Sequence, residues 1–125
     1  MGQAEEDIVT MPDLTTNRLP IACDLSAMDA SQRSRHRRVV ESWRENVQET
    51  VELTDGYAFR FPPDESLCLA IAEFMTLERR CCPFIGFSLV LDPEGGPMWL
   101  RLTGREGTKS FIRAAFGEAE GTLGA

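Results

Sequence analysis

The sequence has no long hydrophobic run, no excess of basic residues and only one histidine. No apolar stretch approaches the roughly 20 residues that a membrane-spanning helix needs, so we expect no transmembrane segment. Acidic residues outnumber lysine and arginine by 20 to 13. The net charge of -7 argues against nucleic-acid binding, which relies on cationic side chains to displace phosphate counterions. With His36 as the only histidine, Ser-His-Asp catalysis has almost no support, and no glycine-rich phosphate-binding motif is present.

The chain is long enough, and contains enough hydrophobic residues, to form one small hydrophobic core. Its 125 residues, 42% of them hydrophobic, are typical of a single globular domain. We expect residues 1–20 to form a flexible acidic arm, residues 21–117 the folded domain and residues 118–125 a disordered tail. The N-terminus has neither the basic region nor the apolar region of a secretory signal peptide, which favours a cytoplasmic protein.

Hydrophobic periodicity predicts a first helix followed by a β segment. Val40, Trp43 and Val47 form one stripe of an amphipathic helix that ends at about residue 49, and His36 extends this stripe backwards by four. Ser26 or Asp29 is expected to cap its start. The following segment VELTDGYAFRF contains a turn signal and alternating aromatic residues, which predicts a strand or a strand-turn-strand.

The second half of the chain predicts a helix, a hairpin and a closing helix. The second helix begins at Pro63 or Asp64 and ends at about Cys81, because Cys82 precedes a proline and is disfavoured in the α region. FIGFSLVLD and MWLRLT are two strands joined by PEGGP, and GREGTKSFIRAAFG is a short helix. The order α-β-α-β-β-α predicts an α+β two-layer sandwich, with a small, mainly antiparallel sheet and the helices on one face.

The second helix places a carboxylate where an apolar residue is expected. On a helical wheel Glu78 lies in the middle of the stripe formed by Leu67, Ile71 and Phe74, and Cys81 flanks it. A buried carboxylate is costly unless it is paired or hydrogen-bonded. Three interpretations remain open: a structural ion pair with an arginine from another helix, a carboxylate that reaches out at the sheet edge, or a group that works beside the thiols as a proton acceptor or donor.

The four cysteines are expected to be thiols in a reducing compartment. Cys68 borders the core face and is interpreted as packing. Cys81 and Cys82 are adjacent, which suits tetrahedral zinc poorly but suits soft ions of low coordination number. Cys23 and His36 are possible further ligands. The basic run RSRHRR around His36 is interpreted as a solvated helix face that balances acidic groups, with contact to an anionic ligand as the alternative.

Several segments together resemble a known family. ERRCCPFIGFSL follows DGYAFRFP and precedes WLRLTG and a helix start with Gly107, Lys109 and Phe111. In these segments, from about residue 21 to 116, the chain is similar to short bacterial proteins with an ER-x-CCPF signature. The resemblance implies no particular activity. It implies a signature block of six residues, namely Glu78, Arg79, Cys81, Cys82, Pro83 and Phe84.

Three functional hypotheses follow. The first is a small cytoplasmic binding protein that holds a soft metal or metalloid ion with Cys81 and Cys82. The second is an enzyme in which both thiols and Glu78 act together on a soft-metal or redox substrate. The third is a non-catalytic interaction domain in which the CCPF segment only packs. A homodimer is possible, because Trp99 and the aromatic strands suit an interface as well as a core.

Overall fold

The computed structural model describes residues 20–117, so the predictions for the N-terminal arm and the C-terminal tail lie almost entirely outside the described residues. One turn of 3-10 helix, Leu25–Ala27, precedes the first α-helix. The remaining elements are α1 Ala30–Asn46, β1 Glu49–Leu53, β2 Gly56–Phe61, α2 Glu65–Cys81, β3 Gly86–Leu91, β4 Met98–Thr103, α3 Thr108–Ile112 and a π-helical turn, Arg113–Gly117.

The four strands form one antiparallel sheet in the order β1-β2-β4-β3. Two hairpins, β1-β2 and β3-β4, meet along the central pair, where Phe59 lies opposite Leu100. Gly56 is required at the end of this pair, since a Cβ there would lie 1.9 Å from the carbonyl oxygen of Leu102. The α+β class predicted from the sequence is confirmed, and VELTDGYAFRF forms a strand-turn-strand rather than one strand.

Both long helices begin at capping aspartates. Asp29 accepts a hydrogen bond of 2.8 Å from the Gln32 amide, and the Gln32 side chain accepts one of 2.9 Å from the Asp29 amide, which completes a capping box. Asp64 accepts a bond of 2.8 Å from the Leu67 amide at the start of α2. Helix α1 ends at Asn46 rather than at about residue 49, because Glu49 already belongs to β1.

Trp43 lies at the centre of the core between the helices and the sheet. Its ring centroid is 5.1 Å from that of Phe59, 5.4 Å from Phe74 and 5.5 Å from Phe116. Such pairs contribute about 0.5–1.5 kcal/mol each beyond the area they bury. The predicted stripes of α1 and α2 therefore do pack against the sheet, and they hold the C-terminal end of α2 beside α1.

The other face of the sheet carries a shallow groove. Its lining includes Val51 of β1, Val90 of β3, and Trp99 and Arg101 of β4, which are exposed or half-buried. Whether Trp99 covers a dimer interface stays a prediction.

Candidate functional site

The last turn of α2 meets the N-terminal segment at a backbone hydrogen bond. The Asp24 amide donates to the Cys81 carbonyl oxygen over 2.7 Å, which satisfies one of the carbonyls that a helix end leaves without an intrahelical partner. Cys82 caps the helix, with its amide donating to the Glu78 carbonyl oxygen over 2.7 Å. Its φ of -127° and ψ of 68° lie outside the helical region, as the following proline requires.

This contact brings three cysteine sulfurs together. The Sγ atoms of Cys23 and Cys81 are 2.7 Å apart, those of Cys81 and Cys82 are 3.7 Å apart, and all three lie within 4.8 Å of one another. Cys81 and Cys82 are fully buried, whereas Cys23 is exposed. The cluster therefore has an exposed sulfur in contact with a buried pair.

The three thiols differ in acidity. The hydrogen bond from Cys82 is the main cause that lowers the pKa of Cys81 to about 7, and the bond from Cys23 adds to it. Burial, followed by donation to Cys81, raises the pKa of Cys23 to about 12. The pKa of Cys82 is also raised, first by its bond to Cys81 and then by burial. Cys81 is therefore the most acidic thiol of the cluster, and its thiolate form accepts hydrogen bonds from the other two thiols.

Glu78 pairs with a histidine rather than with an arginine. Its side chain is 3% exposed and hydrogen-bonds to Nε2 of His36, whose ring stacks on Phe74 with centroids 6.0 Å apart. The bond to Glu78 is the largest cause that raises the pKa of His36, and it outweighs the burial of the ring. The interpretation of Glu78 as the partner of an arginine is thus not what the described residues show, and Arg35 on the same helix as His36 binds Glu73 over 2.5 Å.

The thiol cluster and the His36–Glu78 pair form one site. The side-chain ligand atoms of His36, Glu78 and Cys81 lie within 4.8 Å of one another, so Cys81 belongs to both groups. All five residues that the sequence indicated as site candidates are thus brought together. Cys68 is different: it packs half-buried against the core near the start of α2, in agreement with its interpretation as a packing residue.

A cleft of about 470 Å³ borders this site. Cys23, His36 and Glu78 line it, and so do side chains from the C-terminal segment, Phe111 and Phe116. The sequence predicted a short helix in this segment but did not indicate that Phe111 and Phe116 form a wall of the site. The signature residue Phe84 supports this wall, because its ring packs edge-to-face on Phe111 with centroids 5.0 Å apart.

Comparison of the chain with protein-family models, curated proteins and solved structures finds no significant match. The resemblance to proteins with the ER-x-CCPF signature therefore stays a prediction. Among residues 20–117, no helix combines the length and apolar character needed to cross a bilayer.

Proposed function

We propose that the protein binds a soft metal or metalloid ion, with Cys81 and Cys82 as ligands and Cys23 as the third. The observation that carries the proposal is the convergence of three sulfurs within 4.8 Å, from two segments that are distant in sequence. Thiolates select soft ions such as arsenic(III), mercury(II) and copper(I). The same reduced thiols suit a cytoplasmic location.

The donor set favours a three-coordinate ion over zinc. A structural zinc site needs four ligands in a tetrahedron. His36 is the nitrogen ligand near the sulfurs, but its Nε2 is already bonded to Glu78. Arsenous acid needs no fourth ligand: three As–O bonds break and three As–S bonds form. The three hydroxyl groups leave as water, with two protons from the thiols of Cys23 and Cys82 and one from solvent when Cys81 reacts as a thiolate. No electrons are transferred.

The acidities indicate an order of capture. Cys81 supplies a thiolate at neutral pH, whereas Cys23 and Cys82 must lose protons when they bind. His36 and Glu78 lie next to Cys81 and are positioned to accept or relay these protons. Cys23 is exposed and borders the cleft, so the ion contacts the Cys23–Cys81 pair first and reaches Cys82 afterwards.

The test is native mass spectrometry of the reduced protein with stoichiometric arsenite, mercuric ion or zinc. We expect a mass increase equal to one arsenic atom minus three protons, together with three thiols lost from a thiol count. Cys23→Ser, Cys81→Ser and Cys82→Ser should each weaken arsenite binding at least tenfold, since each removes one of three bonds. Cys68→Ser is the matched control and should bind as the unmodified protein does. An unchanged mass and thiol count would refute the proposal.

The 2.7 Å contact between Cys23 and Cys81 favours a second candidate, a dithiol redox function. The Cys81 thiolate attacks one sulfur of a substrate disulfide and releases one thiolate, and Cys23 then displaces the second. The products are a Cys23–Cys81 disulfide and two substrate thiols, so the substrate is reduced as the protein is oxidised. Incubation with a small-molecule disulfide should lower the protein mass by two hydrogen atoms, whose protons and electrons pass to the substrate thiols. A stable mixed disulfide, or no reaction, would exclude this function.

A further inference from the structure

The cleft beside the thiol cluster is larger than a bare ion needs. An ion held by three sulfurs is enclosed by the cluster itself, whereas the adjoining cleft measures about 470 Å³. This volume lies within the range of about 300–1,000 Å³ that is typical of sites for small organic molecules. Leu25, Val40, Phe111 and Phe116 give the cleft an apolar wall that suits an organic group.

The cleft is also locally cationic, although the whole chain has a net charge of -7. Three arginines line it together with His36, whose pKa is raised, and they outnumber the two carboxylates in the lining, Glu41 and Glu78. The arginines are Arg33, Arg37 and Arg44. A cluster of cations at one cleft of an acidic protein attracts an anionic ligand group over a short range.

Two of these arginines already have structural partners. Arg33 donates to the Met28 carbonyl oxygen over 2.6 Å, and Arg44 donates to the Ala115 carbonyl oxygen over 2.8 Å. Arg37 is exposed, and its guanidinium makes no hydrogen bond or ion pair to any residue between positions 20 and 117. A guanidinium in this position suits a carboxylate, which it binds through two parallel hydrogen bonds.

We propose that the site takes a soft atom that carries a carboxylate-bearing organic group, an inference that rests on the proposed function. The soft atom binds the sulfurs of Cys23 and Cys81, the organic group occupies the cleft, and Arg37 pairs with the carboxylate. For a monosubstituted arsenic(III) compound, two As–O bonds break and two As–S bonds form. The two hydroxyl groups leave as water with the two thiol protons, the As–C bond is retained and arsenic keeps its oxidation state.

The test compares two probes on the reduced full chain by competition binding: 4-carboxyphenylarsenic(III) and phenylarsenic(III). Both present the same arsenic and the same ring, so the ratio of their dissociation constants isolates the carboxylate. We expect the carboxylate compound to bind roughly tenfold tighter, which corresponds to about one charge-assisted hydrogen-bonded pair. This ratio should fall as ionic strength rises, because Arg37 is exposed and its attraction is screened.

Arg37→Gln should bring the ratio close to one. Arg38→Gln is the matched control: Arg38 is adjacent and exposed, but it bonds to the Ser34 hydroxyl over 2.9 Å and does not line the cleft. That variant should keep the full preference. Equal affinity of the two probes, or a preference that survives Arg37→Gln, would overturn the inference.

Arsenite binding, measured beside the two arsenicals, distinguishes a failure of this inference from a failure of the proposed function. Binding of arsenite by three thiols without any gain from the carboxylate refutes the cleft assignment and leaves the ion site intact. If neither arsenite nor either arsenical binds, both the proposed ion-binding function and the cleft assignment are refuted.

Discussion

Replacing Glu78 by glutamine should destabilise the protein in a manner that depends on pH. Glutamine has nearly the same volume and retains an oxygen that accepts a hydrogen bond from His36, so the substitution removes mainly the charge. The side chains of Glu78 and His36 are 3% and 17% exposed. Their pairing is therefore poorly screened by water, and a charge-assisted hydrogen bond of about 1.5–3 kcal/mol is the relevant scale rather than the 0–1 kcal/mol of a surface pair.

The sign of the pH dependence follows from the raised pKa of His36. The folded protein holds the imidazole proton more tightly than the unfolded chain does. The pair consequently contributes its full stability below the ordinary histidine pKa of 6.5, and this contribution falls as pH rises through the raised pKa of the folded state. Glu78→Gln should lower the free energy of unfolding by about 2 kcal/mol near pH 6, and by much less near pH 9.

The assay is urea denaturation of both proteins at a series of pH values, with the difference in unfolding free energy plotted against pH. The lowered pKa of Cys81 gives the opposite slope in the same range, but most of that contribution is common to both proteins and cancels in the difference. Because His36 is the only histidine, NMR titration of one imidazole signal measures its pKa directly.

Glu73→Gln is the matched control on the same helix. Glu73 binds Arg35 at a half-exposed position, so its loss should be below about 1 kcal/mol and should not change between pH 6 and pH 9. A Glu78→Gln effect that is equal at both pH values, or a His36 pKa at or below 6.5 in the unmodified protein, would refute this account of the pair.

Three other predictions test the thiolate, the sheet and the first helix. Cys82→Ala removes the main donor to Cys81 and should move its pKa from about 7 towards 9.0, measured by thiolate absorbance; a midpoint that stays near 7 would contradict the hydrogen-bond assignment. Gly56→Ala places a methyl group against the Leu102 carbonyl and should cost about 3 kcal/mol or more in thermal or urea unfolding, whereas an unchanged midpoint would contradict the close approach of the strands. Asp29→Ala removes the capping box and should cost about 1 kcal/mol with no change in arsenite affinity; a larger loss of affinity would show that the start of α1 affects the site.

The elements were predictable from the sequence because their signals are local. Aspartate caps, the spacing of Val40 and Trp43 and the proline after Cys82 each act within a few residues. The division of VELTDGYAFRF into two strands was only one of two options, because the turn signal at Asp55-Gly56 does not itself determine whether the preceding residues pair.

The site was only partly predictable, because the contacts that form it join segments that are distant in sequence. The helical wheel turned Glu78 inward beside the thiols, but its partner depends on how α1 lies against α2, which no local pattern determines. An arginine partner was one open interpretation, and the structure has His36 in that place. Cys23 is 58 positions from Cys81 and belongs to neither a helix nor a strand, so periodicity carried no information about their contact.

The contact between the sulfurs of Cys23 and Cys81 gives the proposed ion binding a further consequence. In the proposed complex, an ion shared by Cys23 and Cys81 joins two residues that are 58 positions apart, and it stabilises the folded state, in which all three sulfurs converge. We therefore expect the proposed ion to lengthen the lifetime of the reduced protein under proteolysis, in proportion to how fully the ion occupies the site.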